Sequence, residues 1–139
     1  WVFDSFAVVI EAKSDAQTDG EISIDTVRQA TSHEARVRAD NKQLETVPVI
    51  SLLVTPQLRL DTDAAKIADG LYVCTPADIL GLLDDAYTTL AEIRSAATSL
   101  TDDSFVSLID KVYKLRGLVG SNLRGRLTTT ALQELPPQG

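Results

Sequence analysis

Val8-Val9-Ile10-Glu11-Ala12-Lys13 is an apolar, β-branched run that ends abruptly in charge. Together with Phe6 and Ala7 it predicts a strand over Phe6–Lys13. Its continuous apolar character fits a strand covered on both faces, as in a parallel or mixed sheet. Side chains two apart on a strand leave the same face, so Glu11 and Lys13 project side by side at its end. Upstream, Val2-Phe3 and Phe6-Ala7 flank Asp4-Ser5, which fits a short hairpin.

Working outward, Ser14–Gly20 reads as a polar loop and Asp25–Asn41 as a helix. Val27, Ala30, Ala35 and Val37 supply its apolar side, while Gln29, His33, Arg36 and Asp40 form a polar stripe. Val47–Val54 is the next strand, stopped by Thr55-Pro56. Gln57–Gly70 is irregular, with a short helix near Ala64–Ala68, and Leu71–Cys74 is a further strand. Thr75-Pro76 then opens a long helix. Its residues Ile79, Leu83, Ala86, Leu90, Ile93, Ala97 and Leu100 alternate steps of four and three, a heptad-like seam. A second helix over Asp103–Leu118 presents Phe105, Leu108, Ile109, Val112 and Leu115. The tail after Gly120 has weak periodicity and reads as frayed. The expected organisation is an α/β core over residues 1–75, a mixed sheet flanked by helices, with the strand–helix–strand passage as a right-handed crossover. Residues 76–139 are expected as a C-terminal helical hairpin and extension packed on the same domain.

A carboxylate beside an ammonium at the end of a buried strand has a definite chemical use. Glu11 is a hard oxygen ligand suited to Mg²⁺, which takes one or two carboxylates and completes its shell with water and phosphate oxygens. A bound divalent ion polarises a phosphate and acidifies water, and a neighbouring lysine can orient that water or offset charge developing on phosphorus. The bland alternative is an edge-strand ion pair. Gln29 and His33, four apart on one helical face, likewise read either as site residues or as a solvated surface.

Val8-Val9-Ile10-Glu11-Ala12-Lys13 resembles the hydrophobic strand ending in Glu-X-Lys of the PD-(D/E)XK nuclease superfamily. Gln29-Ala30-Thr31-Ser32-His33 resembles the Gln-X-X-X-Tyr helix motif of its RecB-like members, with His in place of Tyr. The resemblance covers about residues 1–75 and implies a restriction-endonuclease-like core that hydrolyses nucleic acid. It implies metal ligation by Glu11 and the Ala12 backbone, catalysis by Glu11, Lys13 and Gln29, and a substrate-phosphate contact by His33. The superfamily's other acid is not evident. Asp4 falls at the hairpin turn, seven positions from Glu11, and would face the opposite way on a continuous strand. With Trp1 at the start and no Met in the chain, the sequence reads as a piece of a longer protein, and the second acid is expected upstream of Trp1.

The 139 residues are 44% hydrophobic and 24% charged, in the globular range. A net charge of −7 is unusual for a nucleic-acid binder. Five basic residues and no acidic ones between Lys111 and Gln133 soften that objection. Arg36, Lys111, Lys114 and Arg116 are therefore candidate phosphate contacts, DNA being expected over RNA, beside the alternative of solubilising surface charge. The 79–100 helix offers either a homodimer contact or internal packing. A single Cys excludes an internal disulfide and points to a reducing, cytoplasmic setting. Val47–Val54 is too short to span a bilayer. Asp15–Gly20 mimics the start of an EF-hand loop, but its twelfth position is Thr26, without the bidentate carboxylate. One His and one Cys give zinc clusters no support.

Overall fold

The computed structural model describes residue 2 and residues 5–13, 19–97 and 102–137. Two compact units divide the chain, Trp1–Pro76 with Leu127–Gly139 and, separately, Ala77–Arg126.

The first unit is built on a four-stranded mixed sheet. Strand β1 (Ala7–Ala12) pairs in parallel with β2 (Val49–Val54), and β2 in parallel with β3 (Leu71–Cys74). Strand β4 (Thr130–Ala131) closes the order β1-β2-β3-β4 antiparallel to β3. An antiparallel bridge between Val2 and Ala7 stands where the hairpin is expected; Asp4 lies outside the described residues.

Helix α1 (Ile24–Asp40) connects β1 to β2. Ser23 caps it by accepting a hydrogen bond from the Thr26 amide at 3.3 Å. Val27 and Ala30 turn inward and join Leu53, Leu71 and Val73 in the main core. The pairing register puts Leu53 and Val73 on the same sheet face as Glu11, so α1 covers the face that carries the acid. On the opposite face, Val8, Ile50 and Leu52 are also buried. The unbroken apolar runs of β1 and β2 follow from this covering on both sides.

Past β2, Ile22 and Leu60 meet in a parallel bridge and enter the core. Asp61 caps the single-turn helix α2 (Thr62–Ala65) through the amides of Asp63 and Ala64. Gly70, at φ +75°, makes the turn into β3 that a residue with a Cβ enters only under strain.

The second unit contains α3 (Pro76–Ala96, which enters it at Ala77), α4 (Asp102–Leu115) and most of α5 (Gly120–Leu127). Leu82, Thr89 and Leu123 are buried there. Arg126 ties the unit internally, reaching Asp85 at 2.7 Å and the carbonyl of Arg116 at 3.0 Å.

Two expectations need correction. The region 76–139 is not one helical extension: Leu127–Gly139 belongs to the first unit, where Leu132 is completely buried in the main core and the Leu60 amide donates to the Pro136 carbonyl at 3.1 Å. The short strand and the 3₁₀ turn Leu132–Glu134 carry too few residues for periodicity to reveal them. The heptad-like seam also divides. Ile79, Ala86 and Ile93 are half-buried, Leu83 and Leu90 are exposed, and Leu100 lies outside the described residues. The large apolar residues that α3 leaves in solvent are Leu80, Leu83, Tyr87 and Leu90.

Candidate metal and catalytic site

The C-terminal end of β1 and the middle of α1 bring four of the sequence-selected residues together. Lys13 lies one residue past the strand, yet its amide still donates to the Val54 carbonyl at 2.9 Å, which fixes its backbone to the sheet. Its Nζ stands 3.5 Å from Glu11 Oε1 and donates to Gln29 Oε1 at 2.7 Å. His33 Nδ1 lies 2.6 Å from the other carboxylate oxygen, Glu11 Oε2. The carboxylate is thus held from two sides, by the strand's own lysine and by the helix. Gln29 reaches Lys13 and His33 reaches Glu11 from one helical face, because four residues make about one helical turn.

Burial grades across the cluster. The Glu11 side chain keeps 9% of its exposure, Lys13 26% and His33 43%. The acid is the interior member, and of these three the imidazole is the most open to solvent.

Ala12 takes part through its backbone. Ala7 and Lys13 both donate into β2, to the carbonyls of Pro48 and Val54. The odd-numbered residues of β1 therefore face β2, and the even-numbered ones turn their peptide groups to the outer edge of the sheet. Ala12's carbonyl is therefore directed to that edge, one residue after Glu11. Among the described residues, no three His, Cys, Asp or Glu side chains are grouped to hold a metal ion. The donors present are one carboxylate, one carbonyl and one imidazole.

The remaining candidates are not drawn into this cluster. Arg36 is exposed, one turn beyond His33 on α1. Lys111, Lys114 and Arg116 belong to the second unit; Lys114 pairs with Asp110 at 2.6 Å and Arg116 with Glu92, so these two cations already have carboxylate partners.

A second polar group, overlooked in the sequence, fixes α1 to the sheet one turn further on. Ser51, buried in β2, donates to Glu34 Oε2, and Arg38 Nε lies 2.9 Å from Glu34 Oε1. Arg38 also donates to the carbonyls of Leu44 and Val47 at 3.2 and 3.4 Å. A sequence signal did exist: Ser51 is the lone hydroxyl inside an apolar strand and demands a partner. Glu34 and Arg38 continue the inward phase of Val27 and Ala30, whereas Ala35, expected on the apolar side, is exposed.

No protein-family model matches this chain, and no curated protein or solved structure matches it either.

Proposed function

We propose that this chain carries the catalytic part of a Mg²⁺-dependent nuclease of the PD-(D/E)XK class, with a restriction-endonuclease-like core, that hydrolyses DNA phosphodiester bonds as a domain of a cytoplasmic restriction or defence protein. The observation that carries the reading is the convergence of Gln29 and His33 of α1 on Glu11 and Lys13 of β1. An ordinary edge-strand ion pair has no need of an amide holding the lysine or an imidazole on the acid. Parallel β1–α1–β2 pairing gives the frame that such a site uses.

In this mechanism the Glu11 carboxylate and the Ala12 carbonyl would hold the cation, which when bound would supply Lewis-acid polarisation of the scissile phosphate and a more acidic water. Gln29 restrains the Lys13 ammonium by accepting one of its three donors, and the remaining donors would orient the attacking water and offset the charge gathering on the phosphate oxygens. The sheet end below these groups is apolar and buried, which strengthens their electrostatics. Glu11→Ala and Lys13→Ala should each lower Mg²⁺-dependent cleavage of double-stranded DNA by about a hundredfold or more. Undiminished cleavage in both variants overturns the proposal.

A second reading rests on a different observation. Leu80, Leu83, Tyr87 and Leu90 are all more than half exposed and recur at steps of three and four along α3. In that reading the chain is a catalytically inactive, nuclease-like binding or oligomerisation module. Replacing Leu83 and Leu90 by Glu would then lower the mass measured by light scattering; an unchanged mass removes this reading.

A further inference from the structure

From the pair Glu11–His33 we infer that His33 is itself a metal ligand, so that the site takes a first-row transition-metal cation of the Mn²⁺ type in preference to Mg²⁺. The inference rests on the reading of Glu11 as a metal-binding carboxylate.

His33 Nδ1 and Glu11 Oε2 lie 2.6 Å apart, so both atoms can reach a single cation. Neighbouring ligands with bonds of about 2.1 Å stand about 3 Å apart, so the two groups must separate by only a few tenths of an ångström. The more exposed member can supply that movement: the imidazole is 43% exposed, while the carboxylate is held at 9%. Lys13 is not an obstacle, because its short contact is to Gln29 and it approaches the other carboxylate oxygen at 3.5 Å. The resulting set is a carboxylate, a carbonyl and an imidazole. Carboxylate and carbonyl oxygens suit Mg²⁺ and Mn²⁺ alike, whereas an imidazole nitrogen favours the transition metal.

The chain contains one histidine, which makes the inference directly readable. Mn²⁺ is bound to the full chain, prepared without a polyhistidine tag and in a nitrogen-free buffer, and pulsed electron paramagnetic resonance is recorded. The expected result is the hyperfine coupling of a directly coordinated imidazole nitrogen, absent in His33→Ala. Calorimetry should show His33→Ala losing about tenfold or more in Mn²⁺ affinity with its Mg²⁺ affinity nearly unchanged. Mn²⁺ bound in a manner abolished by Glu11→Gln, but without nitrogen coupling, overturns the role of His33 and leaves Glu11 as the ligand. Absence of Mn²⁺ binding, or binding unaffected by Glu11→Gln, overturns both.

Discussion

Helix α1 meets the sheet through two polar clusters about one turn apart, and their difference separates function from support. In one, Ser51, Glu34 and Arg38 satisfy one another and the carbonyls of Leu44 and Val47. Ser51 is buried and the network closes on itself. In the other, Glu11 is also buried, but one of its partners, the His33 imidazole, is at 43% the most exposed titratable group of either cluster. A closed network fixes the position of a helix. An acid held at the bottom of an open cluster can exchange a side-chain partner for a ligand. In the proposed function, the neighbouring residues His33 and Glu34 serve opposite ends.

The comparison breaks most visibly if both clusters respond alike to substitution. Glu11→Ala should remove cleavage while barely changing the thermal midpoint, because the Lys13 and His33 side chains it releases remain hydrated. A large fall in midpoint would put Glu11 among the structural groups. Next in size is Leu132→Ala, which should destabilise by about 2–5 kcal/mol in chemical denaturation, since Leu132 is completely buried in the main core. That result would show the late-arriving segment to be part of the frame under α1; a loss below about 1 kcal/mol would sever it. Glu34→Ala strands the buried Ser51 hydroxyl and should cost about 1–3 kcal/mol with metal binding retained. Loss of metal binding without loss of stability would reverse the assignment of the clusters.

The smallest effect is expected away from both. Asp63 and Lys66 form an exposed pair at 2.5 Å; the hydrogen bond from Lys66 and its charge hold the Asp63 carboxyl below its ordinary range. A depressed carboxyl contributes stability above its unfolded pKa and loses it as pH falls through the folded value. In solvent this contribution is slight, so Lys66→Ala should leave the midpoint at neutral pH unchanged within error.

Much of the first unit is legible in sequence because its signals are local. The apolar run before Glu11, the break at Thr55-Pro56 and the Leu71–Cys74 run each predict a strand, and all three are present. Strand parity alone aligns Glu11 with Lys13, and helical spacing aligns Gln29 with His33. That the two pairs meet is a tertiary fact, fixed by the packing of Val27 and Ala30 on the sheet. The return of Thr130–Ala131 to β3 was hidden for the same reason: a two-residue strand has no period, and its partner is distant in sequence. The α3 seam misled because apolar spacing marks a stripe without saying which side of it is covered. Burial falls on Leu82 and Thr89, and Leu83 and Leu90 face solvent.

In the proposed function the cluster at Glu11 performs metal-dependent phosphodiester hydrolysis and its neighbour at Glu34 only supports it. The test is the single-turnover rate of DNA cleavage in Mg²⁺ and in Mn²⁺ by the full-length protein that carries this chain and by its Glu11→Ala and Glu34→Ala variants, each well below its thermal midpoint. Wild type and Glu34→Ala should cleave, and Glu11→Ala should not. Cleavage by Glu11→Ala at the wild-type rate, or none by wild type with either metal, would contradict the proposed function.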